Sequence, residues 1–412
     1  MSLDACVTAE TGLLSLQEAL GRILADIDPL PRRENLPLKA ALGRVLAEDV
    51  PSPLDLPPFA NSAMDGYALR AADTAEGRSR LALVGVSWAG RPFQGAVAAG
   101  QCVRIFTGAA LPEGADTVVM QEDVTAEEGG VFLQGPLKAG KNVRRAGEEL
   151  RAGDIALAAG KRLGPADIAL LASLGRREAA VRARPRVAFF STGDELRGVG
   201  DPLAPGQIYD SNRYALDGLL REAGAEAIDL GVAADDPAAL KALLLQASAQ
   251  ADLVISSGGV SVGEADFVTG ALAEVGRIRL WKMAVKPGKP IAFGRIGAAW
   301  FFGLPGNPVA VMVGFRQVVR PALARLAGAE PKPPLRFGAR SRQAMKKSAG
   351  RLEFQRGELE RDQDGQWWVS GLAAQGSHML TGMSRADCLI VLPAECAGVA
   401  AGDLVEVEPL AW

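Results

Sequence analysis

Apolar residues recur at helical spacing over 14–27 (LSLQEALGRILADI), and Ser15 stands where it can cap the first turn. PLKAALGRVLA (37–47) predicts a second helix, and the Pro-rich PSPLDLPPF (51–59) breaks the pattern and reads as a linker. From 60 to 140 short β-like runs (LALVGVSWAG, QCVRIFTG, DTVVMQEDV, VFLQGP) alternate with Gly and Pro turns, which predicts a small β-rich domain. The pattern returns towards helix over 141–180, most clearly at 165–174, as if a β module interrupts one helical domain.

From Arg186 the rhythm is strand, helix, strand. VAFFS, AIDLG, DLVISSGG, IAFG and AWFFG read as strands; YALDGLLREAG, DDPAALKALLLQASA and PVAVMVGFRQVVRPALARLAG read as helices. Asp236 and Pro237 mark one helix start, Pro308 another, and Gly224 a helix end. Such alternation predicts a doubly wound, mostly parallel sheet with helices on both faces. After a Pro- and Lys-rich linker (330–340) the tail reads as short strands. The expected division is a discontinuous helical domain (1–50 and 141–180), an inserted β domain (51–140), an α/β domain (181–330) and a C-terminal β domain (335–412).

Composition narrows the chemistry. A chain of 412 residues with 48% hydrophobic and 23% charged residues is ordinary for a multi-domain globular protein. A net charge of −3 gives no whole-chain footprint for nucleic acid. The four cysteines (Cys6, Cys102, Cys388, Cys396) form no CxxC, and His378 is the single histidine, so a Cys/His zinc site, a disulfide framework and a Ser-His-Asp triad are all disfavoured. With no leader pattern and no apolar run of about 18 residues, a cytoplasmic location and no membrane contact are expected.

In an open parallel sheet, ligands bind beyond the carboxyl ends of the strands. Three strands here run into Ser- and Gly-rich loops: FFSTGDEL (189–196, with Ser191, Thr192, Gly193), VISSGGVSVGEADF (254–267, with Ser257, Gly258, Gly259, Ser261) and FFGLPGNPVAV (301–311, with Pro305, Gly306, Asn307, Pro308). Their backbone N–H groups suit an anion such as phosphate, although neither a Walker loop nor a GxGxxG fingerprint is present. Each loop alone is no more than a turn; three at one sheet edge suggest a site. Lys282, Lys286 and Lys289 in WKMAVKPGKPIAFG form either a solvated cluster or an anion funnel beside those loops. Asp194, Glu195, Asp235 and Asp266 fall on the same edge, an oxygen-rich set that suits Mg²⁺, although helix capping also accounts for Asp235 or Asp266. In the β insert, Asp65 of MDG is a hairpin turn or a functional carboxylate, and Thr107 of FTG a turn hydroxyl or its companion.

Read as a set, PPFANSAMDGYAL, RIFTGAALPEGADTVVMQED, NVRRAGEE, VAFFSTGDEL, GQIYDSNRYAL, DLVISSGGVSVGEADFV, KMAVKPGKPIAFG, FFGLPGNPVAVMVGF and GSHMLTGMSRADCLIVLP resemble the MoeA and gephyrin E-domain family of molybdopterin molybdenumtransferases, in the family's order and over nearly the whole chain. The resemblance implies an elongated helical domain with the β insert, an α/β domain like the MogA-type adenylyltransferase, and a C-terminal β barrel. It also implies a homodimer whose cleft joins the α/β domain of one subunit to the β insert of the other. It places functional residues at Asp65, Thr107, Glu195, Asp235, Asp266, Lys282, Lys286, Pro305 and Pro308. Molybdate-site positions fall at Lys286, Lys289, Arg356 and Ser377. Two departures are Ala60, where the family often has Asp, and Glu149 in RRAGEE, where the family has Asp.

The implied reaction inserts molybdate into adenylylated molybdopterin, with Mg²⁺ on Glu195, Asp235 and Asp266, and releases AMP. The implied partners are the pterin substrate, molybdate and the adenylyltransferase that supplies the pterin. Two other readings stay open: the adenylyl transfer itself, and a non-enzymatic scaffold like gephyrin's receptor-clustering role.

Overall fold

The computed structural model describes residues 7–234, 236–259 and 267–410. These form two compact units, one of residues 1–34, 43–47 and 180–412 and one of residues 35–42 and 48–179.

The first unit holds a seven-stranded sheet in the order Val7–Leu14, Gly276–Met283, Pro290–Ile296, Ala299–Leu304, Leu253–Ser257, Arg186–Thr192, Glu226–Ala233. Four of its six pairings are parallel. Two are antiparallel because Pro290–Ile296 and Ala299–Leu304 form a tight hairpin through Gly297 (φ +57°), flanked by Gly276–Met283. The central strands are apolar on both faces because helices cover both. On one side Val187, Phe189, Ile255 and Phe302 pack with Ala19 and Ile23 of the helix Leu16–Asp26, Leu216 and Leu220 of Asn212–Glu222, and Val309 and Val313 of Pro308–Gly314. On the other, Ala188, Phe190, Val254 and Phe301 pack with Leu240 and Leu244 of Pro237–Gln250 and with Leu272.

Local signals set the helix ends. Ser15 and Glu18 make a reciprocal capping box. The Asp236 carboxylate accepts from the Ala239 N–H at 2.7 Å, ahead of Pro237. Gly224 takes φ +81° after the helix Asn212–Glu222.

The tail of the same unit is a closed five-stranded barrel. Phe337–Ser341, Leu352–Arg361, Trp367–Gly371, Cys388–Leu392 and Leu404–Pro409 close through pairing of Leu352–Arg361 with Cys388–Leu392. Fully buried Glu408 takes hydrogen bonds from Arg316 (2.6 Å) and Gln317 (2.8 Å), which fastens the barrel to the helical run after Pro308.

In the second unit, a six-stranded sheet runs Thr117–Met120, Gly66–Leu69, Gln101–Ile105, Arg78–Ser87, Gly130–Gln134, Val124–Glu127. The helix expected over 37–47 does not form. Only Leu38–Ala40 makes a single 3₁₀ turn, Gly43 takes φ +75°, and the chain then runs extended, with Leu46 bridged to Val181. Over 141–180 the short strands Val143–Arg144 and Ile155–Leu157 precede the one helix, Pro165–Ser173. Among the described residues no helix is long and apolar enough to cross a membrane.

Candidate functional site

The strand Arg186–Thr192 delivers Ser191 and Thr192 to the carboxyl edge of the large sheet, and Leu253–Ser257 delivers Ser257 beside them, in register with Ser191. The next strand over, Ala299–Leu304, ends at Leu304 opposite Ser257 and continues into Pro305, Gly306, Asn307 and Pro308. The loops close on one another. Gly258 takes φ +92°, and a Cβ there would lie 2.8 Å from the Thr192 carbonyl oxygen and 3.0 Å from Thr192 Oγ1. Its N–H donates to the Leu304 carbonyl at 3.0 Å. A Cβ on Gly306 would lie 3.7 Å from Gly258 Cα. Glycine is therefore required at 258, by its positive φ and by close backbone approach, while Gly306 lies in ordinary contact with it.

Two residues not expected as site residues lock the arrangement. Buried Asn212 donates from Nδ2 to Ser257 Oγ (2.8 Å) and to the Gly306 carbonyl (2.7 Å). Buried Asp210 accepts at Oδ1 from Ser191 Oγ (3.1 Å) and from the Asn212 N–H (3.1 Å). Both lie in YDSN, a polar run before a helix that carries the sequence signature of an ordinary cap; only the fold shows that it bridges two strand ends.

Glu195 lies in the loop after Thr192, exposed, and its carboxylate folds over Gly193, where a Cβ would meet Glu195 Oε2 at 2.4 Å. It has no hydrogen-bond or ionic side-chain partner among the described residues. Asp235, Ser261 and Asp266 lie outside the described residues. Asp236 caps the following helix, as expected from the sequence.

Lys282 and Lys289 are exposed at the end of Gly276–Met283 and just before Pro290. Lys286 follows on the two-residue strand Val285–Lys286, which pairs in parallel with Leu352 and Glu353 of the barrel. Its Nζ donates to Glu353 Oε1 at 2.9 Å, and Gln355 Nε2 donates to the same oxygen at 3.0 Å. Glu353 is a further residue the sequence reading missed.

Arg356, expected at the molybdate site, lies on the barrel strand Leu352–Arg361. It is 1% exposed, and its guanidinium donates to the carbonyls of Ala374 (2.5 Å) and Gly376 (3.1 Å). Burial pulls its pKa down, against the opposing charge of Glu353. Both bonds come from Nη2 and tie Arg356 to the turn that carries Ser377, while its buried Nε has no partner among the described residues. The Ser377 carbonyl in turn accepts from the Val309 N–H at 3.0 Å, which sets that turn against the helix beginning at Pro308. The Ser377 turn thus abuts the helix into which the 305–308 loop runs.

In the second unit Asp65 and Thr107 pair directly. Asp65 Oδ1 accepts from the Thr107 N–H (2.7 Å) and from Thr107 Oγ1 (2.8 Å). Those two donors, aided by the nearby Arg104 charge, hold the exposed Asp65 carboxyl below its ordinary range. In the segment with the Glu149 departure, the Arg145 N–H donates to Glu148 and the Glu149 N–H to the Leu56 carbonyl.

Comparison with known proteins gives this geometry a context. Residues 14–175 match the model for the MoeA N-terminal region (domain I and II), 188–325 a probable molybdopterin binding domain, and 338–410 the MoeA C-terminal region (domain IV). The chain is 45% identical over 399 residues to a molybdopterin molybdenumtransferase of Haemophilus influenzae, covering 96% of this chain and 98% of that one. It is 36% identical over 400 residues to molybdopterin molybdenumtransferase 2 of Mycobacterium tuberculosis, covering 94% and 98% respectively. The crystal structure of the molybdopterin biosynthesis moeA protein of Pyrococcus horikoshii is similar with a TM-score of 0.83 at 30% identity, over 97% of this chain and all of that one. A match of this identity along almost the full length of both chains settles the family: the chain belongs to the molybdopterin molybdenumtransferases.

Proposed function

We propose that the chain transfers molybdate into adenylylated molybdopterin in a Mg²⁺-dependent step that releases AMP. The observation that carries this reading is the convergence of Thr192, Gly258 and Gly306 at one sheet edge. In the same unit the Ser377 turn abuts the helix into which the 305–308 loop runs, and Lys286, Lys289 and Lys282 cluster between the sheet and the barrel.

Backbone N–H groups of Gly193, Gly259, Gly306 and Asn307 suit the pyrophosphate oxygens. Ser191, Ser257 and Asn307 supply hydroxyl and amide groups beside them. Lys286, Lys289 and the Ser377 hydroxyl would hold molybdate, a tetrahedral dianion, through charge-assisted contacts. Arg356, tied to the Ser377 turn through Nη2 and with its Nε unpartnered among the described residues, would join them. Glu195 is exposed and without a side-chain partner among the described residues, an oxygen donor of the kind Mg²⁺ prefers, and Asp235 and Asp266 would complete the set. Magnesium, when bound, neutralises the pyrophosphate charge. Lys282 steers the anions, and positioning and electrostatics supply the acceleration without a covalent protein intermediate.

A homodimer in which the second copy supplies Asp65 and Thr107 is part of the proposal, as are a cytoplasmic setting and contact with the adenylyltransferase that makes the substrate. Incubation with MgATP and unmodified molybdopterin separates this reading from adenylyl transfer: the proposal expects no adenylylated pterin, and its formation would favour the rival. Asp266→Ala is expected to abolish Mg²⁺-stimulated AMP release; turnover near that of the wild type would remove Asp266 from the metal role.

A further inference from the structure

The second unit carries an aromatic platform beside Asp65. Trp88 and Phe106 follow the paired strands Arg78–Ser87 and Gln101–Ile105, and their rings stack at 4.1 Å with planes 10° apart. The Arg104 guanidinium lies 4.9 Å from the Phe106 ring and 5.0 Å from that of Tyr67. Arg104 is fixed by donating to the Gly66 carbonyl at 3.1 Å and to Gln121.

Tyr67 pairs with Arg104 across antiparallel strands, and Arg104 pairs with Val86 across parallel ones. Trp88, Phe106 and Asp65 lie just beyond the ends of these strands, and the stacked rings, the Arg104 guanidinium over Phe106 and the Arg104 charge beside Asp65 bring them to that same end. Asp65 is tied to the residue after Phe106 through Thr107. Only Asp65 Oδ1 is taken up in that tie; Oδ2 has no partner among the described residues. Trp88 is 51% exposed although Phe106 covers one face of its indole.

An exposed indole backed by a second ring and a fixed guanidinium is built like the surfaces on which planar heterocycles stack. The carboxylate oxygen beside it accepts hydrogen bonds only, so it favours a ring edge bearing N–H donors. The pyrimidinone ring of a pterin has both properties: a flat face and an amino and lactam N–H edge. Adenine stacks equally well but offers an acceptor beside its amino group.

We propose that Trp88, backed by Phe106 and Arg104, is the stacking platform for the pterin ring of the substrate, and that Asp65 Oδ2 reads the N–H edge of that ring. The inference rests on the molybdenum transfer proposed above and adds a recognition role to the second unit.

The test is a series at Trp88 in the full chain. Trp88→Ala is expected to raise KM for adenylylated molybdopterin about tenfold, with Trp88→Phe within about threefold of the wild type and Trp88→Leu close to Ala. The molybdate dependence and the unfolding midpoint stay unchanged. As inhibitors, a free 6-substituted pterin loses potency against Trp88→Ala while AMP does not; the opposite result would assign the platform to adenine and overturn the proposal. An unchanged KM in a folded Trp88→Ala protein, or equal losses for Phe and Ala, would also overturn it. Direct binding of the free pterin, followed by its own fluorescence, reads the platform independently of turnover. Absent turnover in the wild type thus contradicts the transferase reading, and undiminished pterin binding by Trp88→Ala contradicts the platform.

Discussion

Asn212 donates to Ser257 at 2.8 Å, and through that bond the start of one helix holds the end of the neighbouring strand. The same amide reaches the Gly306 carbonyl. Replacing Asn212 with Ala leaves a buried hydroxyl and a carbonyl without this donor. We expect a stability loss of about 1–3 kcal/mol, read as a lower urea midpoint with unchanged slope, together with weaker binding of the adenylylated pterin. A variant with wild-type stability and affinity would show that the clasp is dispensable.

Gly258→Ala tests the close approach of the loops. The added Cβ meets the Thr192 carbonyl at 2.8 Å, and the residue sits at φ +92°. Strain of this kind costs about 1–3 kcal/mol, and relief requires the 192–193 and 258–259 segments to separate. Substrate affinity is expected to fall by at least tenfold while the barrel core is undisturbed. Wild-type affinity in isothermal titration would contradict the arrangement.

Thr107→Val removes a hydroxyl that donates to Asp65 while keeping the backbone N–H. The folded-state pKa of Asp65 lies below its unfolded value, so its stabilising contribution is present above the unfolded pKa and fades as pH falls through the folded one. In the variant the carboxyl should titrate closer to the unperturbed value of about 3.9. Carbonyl-carbon NMR of the Asp65 side chain checks this; an unmoved titration would mean that the backbone N–H alone sets it.

Lys286→Ala affects both stability and chemistry. It strips buried Glu353 of its cationic partner at 2.9 Å and leaves Gln355 as the remaining donor. A loss of about 1–3 kcal/mol is expected. The half-saturating molybdate concentration should rise more than that of the pterin, and an unchanged molybdate dependence would remove Lys286 from the oxyanion site.

Much of the α/β unit was legible because burial on both faces writes strands such as Arg186–Thr192 as unbroken apolar runs, and because Ser15, Asp236 and Gly224 are local signals obeyed locally. The stretch 37–47 misled because its apolar spacing serves tertiary contacts: Val45 accepts from the Arg182 N–H, and Arg44 is buried on Glu34 and the Arg182 carbonyl. Gly276–Met283 and Val7–Leu14 were not read as strands, since their apolar residues are interspersed with polar ones and form no unbroken run like that of Arg186–Thr192. In the site, glycine-rich strand ends pointed to one edge, which their register bears out. Asn212 and Asp210 stayed hidden because their role depends on loops remote in sequence. The burial of Arg356 was not legible, because charge shows in the sequence and packing does not.

The account stands most directly on one assay: AMP release by the wild-type chain from adenylylated molybdopterin, with molybdate and Mg²⁺ added singly and together. It predicts rapid release only when both are present, with molybdenum recovered on the pterin dithiolene. Release at the same rate without molybdate, or none under any combination, would contradict it.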